Sequence, residues 1–200
     1  MINEKMGIKS HLHFKIYKPF GMLSQISSNE DRQIRNKRFL SELYDFPEGT
    51  MPIGRLDEKS EGLLLMTTDG KLSDTINSSG IEKEYYVQLD GIITDEALDK
   101  LSMGVEIGLW GKKYITKPCK VLKLIKTPTL PEPHKKIRLN GHRPNSWISI
   151  ILTEGKFRQV RKMTAAVGFP ALRLVRIRIG HNSLGEIEQG MVVPIKHFHL

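Results

Sequence analysis

A single cysteine, Cys119, stands among 200 residues, so no internal disulfide can form and a reducing cytoplasm suits the chain. Cys119 has Lys117, Pro118 and Lys120 around it and no histidine beside it, which reads as a packed thiol and not as a nucleophile. No apolar run is long enough to cross a bilayer: Ile148–Leu152 falls far short of the roughly 20 residues a helical span needs, and no membrane association is expected. Met1–Ser10 is polar without an apolar centre, which argues against a cleaved leader and reads as a flexible N-terminus. The seven histidines include His11/His13 and His197/His199 but no cysteine at zinc-like spacing, so no metal site is predicted. Glycine-rich phosphate loops and dinucleotide fingerprints are also missing. From Gly155 to Gly185 there is no acidic residue, although the interval carries Lys156, Arg158, Arg161, Lys162, Arg173, Arg176 and Arg178.

The charge that is present is mostly positive. Lys and Arg number 31 against 22 Asp and Glu, giving a net charge of +9 and a sequence pI near 9.6. A balance of that size points to a polyanionic partner. Cations without acids beside them attract phosphates; a solvated helix face is the plainer reading, but such faces usually mix both signs. Hydrophobic residues make up 39% of the chain, enough for a real core in one domain or two small ones.

Along the chain, His11 to Lys18 alternates as a half-buried strand, closed by the turn Lys18-Pro19-Phe20-Gly21. Gln25 to Lys37 is polar and reads as a mobile loop, followed by a short helix around Phe39, Leu40 and Leu43. Gly62 launches Leu63-Leu64-Leu65-Met66, apolar on both faces and so a buried strand. Lys71–Asn77 is expected to be helical, Glu84–Leu89 a strand, and Thr94 the N-cap of a helix that buries Ala97, Leu98 and Leu101. Val105–Ile125 reads as two strands around Gly108 and Gly111. Thr127–Asn145, with four prolines plus Lys135, Lys136, Arg138 and Arg143, reads as a long surface loop, either an RNA-contacting arm or a plain solvated one. Trp147–Leu152, Leu172–Ile177 and Met191–Ile195 are expected strands, and Phe157–Val167 a helix.

Gly54-Arg55-Leu56-Asp57, with Ser60 and Gly62 at their spacing, sets one carboxylate on a turn braced by the buried strand. Loops carry reactive groups and the scaffold holds them still; on local spacing alone the plainer reading, Asp57 paired with Arg55 and capping the turn, is the favoured one. This stretch, continued through Thr67-Thr68-Asp69-Gly70, resembles the catalytic motif of pseudouridine synthases. The branch is that of ribosomal small-subunit synthase A and large-subunit synthases B, E and F. Leu152-Thr153-Glu154-Gly155-Lys156-Phe157-Arg158-Gln159-Val160-Arg161-Lys162-Met163 resembles the C-terminal motif of the same family, with Lys156 where arginine is usual. Lys83-Glu84-Tyr85 resembles its Lys-x-Tyr motif. The three motifs stand in the family's order, and the resemblance covers about Phe14 to Pro194.

The resemblance implies an α+β fold, a mixed and mostly antiparallel bent sheet with flanking helices in two lobes around a catalytic cleft. It implies one catalytic domain over 11–196 with no separate N-terminal RNA-binding module. Asp57 then matches the catalytic aspartate, Arg161 its charge partner, and Tyr85 the residue facing the target base; Tyr85 on its own would read as a packing residue. Leu56 and Leu174 would wall the pocket. Arg55, Lys83, Lys156, Arg158, Gln159, Lys162 and Arg176 would contact the RNA. The implied reaction turns a uridine of large-subunit (23S) ribosomal RNA into pseudouridine, with the base taken out of the stack, no cofactor, and a monomeric enzyme. A silent RNA-binding or ribosome-assembly protein, and an aspartate-dependent hydrolase or nuclease, remain the other classes at this point.

Overall fold

The computed structural model describes residues 10–137, 139 and 144–199. The expected contributions of Arg138, Arg143 and the first nine residues therefore lie outside the described residues.

One mixed sheet organises the chain. Its strands are β1 (His13–Lys18), β2 (Met51–Ile53), β3 (Glu61–Thr67), β4 (Lys83–Asp90), β7 (Lys120–Leu124), β8 (Asn145–Leu152), β9 (Ala171–Ile179), β10 (Asn182–Ser183) and β11 (Val192–Ile195). The order across it is β11-β1-β3-β9-β4-β8-β7, with β2 against β3 and β10 against β9. All pairings are antiparallel except β3 with β9, which meet in parallel through Glu61 opposite Val175 and Gly62 opposite Arg176. A separate two-stranded hairpin consists of β5 (Glu106–Leu109) and β6 (Lys112–Ile115). The helices are α1 (Asp31–Asn36), α2 (Gly70–Ser78), α3 (Asp95–Met103) and α4 (Gln159–Ala166), with a 3-10 turn at Leu40–Glu42. No helix among the described residues is long and apolar enough to cross a membrane.

β3 is apolar on both faces because each face feeds a different core. Leu63 and Leu65 pack with Tyr17, Ile53, Ile76 and Val175, whereas Leu64 and Met66 pack with Phe14, Ile16, Met22 and Leu40. A third core joins β4, β8 and β9 to α3 and α4 through Val87, Leu89, Ile148, Ile150, Leu101 and Met163. The first two cores make one lobe and the third makes the other, with β9 between them.

Several expectations change. β1 is not half exposed: it lies between β11 and β3, and Tyr17 and Lys18 are buried with Phe14 and Ile16. The segment 25–37 contains α1, whose residues are all at least partly exposed and which no apolar periodicity announced. Val105–Ile125 holds three strands, the third, β7, pairing with β8. The described part of 127–144 has no strand or helix, Asn145 already opening β8, yet the segment is strapped down. Leu130 joins the second core, the Pro131 carbonyl accepts from Arg173 at 2.9 Å, and His134 stacks on Phe20 with centroids 4.9 Å apart. The last helix starts at Gln159, because Arg158 takes a left-handed conformation with φ 53°.

Candidate active site

A cleft of about 720 Å³ opens between the lobes. Asp57 sits in it, half-buried, on the turn between β2 and β3. That turn is fastened at each successive residue. The Ser24 hydroxyl accepts from the Leu56 N–H at 3.0 Å and donates to the Leu56 carbonyl at 2.9 Å. The Ser60 N–H donates to the Asp57 carbonyl at 2.9 Å, and the Gly21 N–H donates to the Glu58 carbonyl at 2.8 Å. The Glu58 carboxylate pairs with Lys37 at 2.7 Å, and the Lys59 carbonyl accepts from Arg161 at 2.6 Å. Every backbone oxygen from Leu56 to Lys59 is thus engaged, while the Asp57 carboxylate has no hydrogen bond to another described residue. A free carboxylate on a clamped backbone is preorganised for a reaction partner.

Behind Asp57, three strands place a polar–apolar wall. Arg176 lies opposite Gly62 on one side and Tyr85 on the other. Gly62 is required for that approach: its φ is +104°, and a Cβ there would stand 2.3 Å from the Arg176 carbonyl oxygen. The Arg176 guanidinium is buried, donates to the Leu63 carbonyl at 2.7 Å, and has one terminal nitrogen, Nη2, without a partner. An unpartnered buried donor lining the same cleft as Asp57 is an unfilled hydrogen-bonding site. Tyr85, Leu174 and Leu56 supply the apolar part of the wall. Burial, and then the Arg176 charge, push the Lys83 ammonium below its ordinary range.

Of the residues expected at the site, Asp57, Tyr85, Arg55, Leu56, Lys83, Lys156, Arg158, Gln159, Leu174 and Arg176 all line this cleft. Arg161 and Lys162 stand behind it. Arg161 is not ion-paired with Asp57: its guanidinium donates to the carbonyls of Ala171, at 3.1 Å, and Lys59, and its Nε has no partner. Burial and then Arg158 lower its pKa, opposed by the charges of Asp57 and Glu61. Lys162 donates to the Gly108 carbonyl at 2.6 Å. Gln159 closes its own loop, accepting from the Lys156 N–H and donating to Glu154.

The acid-free interval from 155 to 185 is not a single phosphate field. Arg173 forms a buried two-pronged pair with Glu61, at 2.9 and 3.1 Å, and Arg178 pairs with Glu84 and Glu82 at 2.8 and 3.0 Å. Those acids lie on or just before other strands, so sequence spacing could not reveal them. Ser24 and Lys37 were missed for the same reason: they reach the loop from more than twenty residues away in sequence.

Residues 13–166 match the family model described as RNA pseudouridylate synthase, and the chain belongs to that family of enzymes. Within it, a protein of Xanthomonas campestris pv. campestris named ribosomal large subunit pseudouridine synthase E is 40% identical over 175 residues, covering 86% of this chain and 89% of the relative. One of Vibrio parahaemolyticus with the same name is 38% identical over 177 residues, covering 86% and 69%. A solved structure described as a pseudouridylate synthase superposes with a TM-score of 0.73 at 28% identity, over 94% of this chain and 72% of that one. The branch expected from the motifs includes the one whose name these relatives carry.

Proposed function

We propose that this synthase isomerises a specific uridine of large-subunit (23S) ribosomal RNA to pseudouridine, with Asp57 as the reacting carboxylate. It acts as a cytoplasmic monomer and needs no cofactor, because the reaction has no net redox change and no group leaves the RNA. The target nucleotide turns out of the stack into the cleft. The bond from C1′ to N1 breaks, the uracil rotates in place, and C1′ bonds to C5; the C5 proton leaves and N1 takes one up. Asp57 acts on the sugar, either by attack at C1′ or by removing a sugar proton. Tyr85 presents its ring to the base, and its hydroxyl moves a proton. Leu56 and Leu174 exclude water that would otherwise leave an abasic site. The unpartnered nitrogen of Arg176 is a donor for a uracil carbonyl or for Asp57 itself. Arg161 keeps the reacting loop against β9. Arg55, Lys83, Lys156 and Arg158 hold the backbone phosphates around the opening.

The observation that carries this reading is the contrast at residues 56–59, where each backbone oxygen is tied down and the Asp57 carboxylate alone is left for a ligand. Asp57→Asn keeps the size and removes the anion. Single-turnover pseudouridine formation on 23S ribosomal RNA should fall by at least roughly a thousandfold, equivalent to about 4 kcal/mol of barrier. RNA affinity and melting temperature should barely change, since Arg161 keeps its two carbonyl acceptors. A variant that isomerises uridine at the wild-type rate removes Asp57 from the chemistry. RNA binding without isomerisation by the wild type would make the chain a silent RNA-binding member of its family.

A further inference from the structure

The rim of the cleft carries an exposed aromatic pair that the chemistry above leaves unused. Trp110 and Gly111 form the two-residue turn of the β5–β6 hairpin, with φ of 52° and 79°. A turn with both central residues at positive φ selects asparagine, aspartate or glycine. Tryptophan there strains the backbone and leaves 81% of the residue in solvent. Arg158, at φ 53°, is the only other non-glycine residue at positive φ among those described. The two strained positions are linked through Phe157. The Trp110 ring stacks on Phe157, the neighbour of Arg158, with centroids 4.9 Å apart and planes 26° from parallel. Strain kept at two adjoining positions marks a place where function constrains the chain.

The hairpin that holds Trp110 is anchored. Ile107 is buried in the third core, Lys162 donates to Gly108, and the Tyr114 hydroxyl donates to Glu154 at 2.6 Å. Phe157 itself lines the cleft, so the stack runs from the opening outward. Cations surround it: the Lys162 ammonium lies 5.1 Å from the Phe157 centroid, Lys156 lies 5.0 Å from that of Tyr114, and Lys112 is exposed on the hairpin. The acids nearby are engaged, Glu106 by Lys113 and Glu154 by Tyr114, Lys117 and Gln159.

We infer that Trp110 and Phe157 form a stacking platform for an unpaired nucleotide next to the target, with Lys112, Lys156 and Lys162 taking its phosphates. The inference deepens the RNA reading of the same cleft and rests on it. Extruding a target base leaves its neighbour without a stacking partner. A flat, exposed ring flanked by ammonium groups receives such a base whatever its identity. A protein partner's anchor would instead call for a concave, desolvated pocket, which a hairpin tip does not offer.

The chain has two tryptophans, and Trp147 is only 6% exposed, so changes in emission on ligand binding report Trp110. Titrating the full chain with in-vitro-transcribed 23S ribosomal RNA should quench that emission. Trp110→Asn suits the turn and should raise the urea midpoint, yet weaken RNA binding by roughly tenfold or more; Trp110→Phe should stay within about threefold of wild type, because stacking tolerates either ring. Turnover at saturating RNA should change little, with the loss appearing in KM. Unquenched emission together with unchanged affinity in Trp110→Asn overturns the platform while leaving the synthase reading intact. Loss of stability alongside binding also overturns it, making Trp110 a prop of the hairpin. Quenching and weakened binding in a protein that isomerises no RNA sustain the platform and sink the synthase reading; a wild type that neither binds nor isomerises RNA sinks both.

Discussion

Ser24 uses one hydroxyl on both backbone groups of Leu56, the residue before Asp57. Replacing it by alanine leaves a buried N–H and a buried carbonyl without partners, which should cost about 1–3 kcal/mol of stability. The loop then loosens where Asp57 is aimed. Ser24→Ala should therefore lower kcat tenfold or more at saturating RNA, with KM nearly unchanged, in steady-state assays run beside a urea melt; an unchanged kcat would mean that Arg161 and Gly21 suffice to hold the turn. Nothing in the sequence distinguishes Ser24 from any surface serine. The cations show the same limit from the other side. Arg161, Arg173, Arg176 and Arg178 look alike in the chain. One holds loop carbonyls, two are neutralised by Glu61 and by Glu82 with Glu84, and one keeps a free donor in the cleft. Type and spacing predict charge, but the partner that decides its use lies on another strand.

Among the elements, β3 was the most legible. An unbroken apolar run that cannot be amphipathic has to be covered on both sides, and two separate cores cover it. The short strand β2 and the third strand β7 were not legible, because each depends on a neighbouring strand rather than on its own pattern, and neither was α1, which buries no residue and so carries no apolar period. Gly62 joins the element scale to the site. Gly62→Ala puts a methyl group 2.3 Å from the Arg176 carbonyl oxygen in a backbone conformation that favours glycine. The β3–β9 seam must open or shift, at a cost of at least about 3 kcal/mol. The variant should melt well below wild type and lose activity even where it is still folded, since Arg176 moves with the seam; wild-type turnover in the folded fraction would show that the Arg176 position is not needed.

For the molecule as a whole, the sharpest pH dependence should come from Lys18. Its ammonium is fully buried and donates to the carbonyls of Pro19 and Met22 at 2.8 and 2.7 Å, two bonds that a neutral amine also makes. Burial lowers its pKa from 10.5 to about 7, against the pull of Glu61. Between those two values the unfolded chain holds a proton that the folded one has released, so stability rises with pH across that window, by up to about 1.4 kcal/mol per unit, and is flat below it. In urea melts, wild type minus Lys18→Met should therefore climb between pH 7 and roughly 9.5. The subtraction removes the opposing slope of Cys119, whose thiol burial pushes up to about 11. A constant difference would mean that Lys18 stays charged in the fold. The strand order has a further consequence, for the time course of synthesis. Asp57 and its loop are made early, but the wall behind them is β9, and β1 is closed off by β11 near the chain's end. Pairings of such long sequence separation form late. A nascent chain emerging from the ribosome therefore holds the Asp57 carboxylate without its cleft wall until Arg176 has been added.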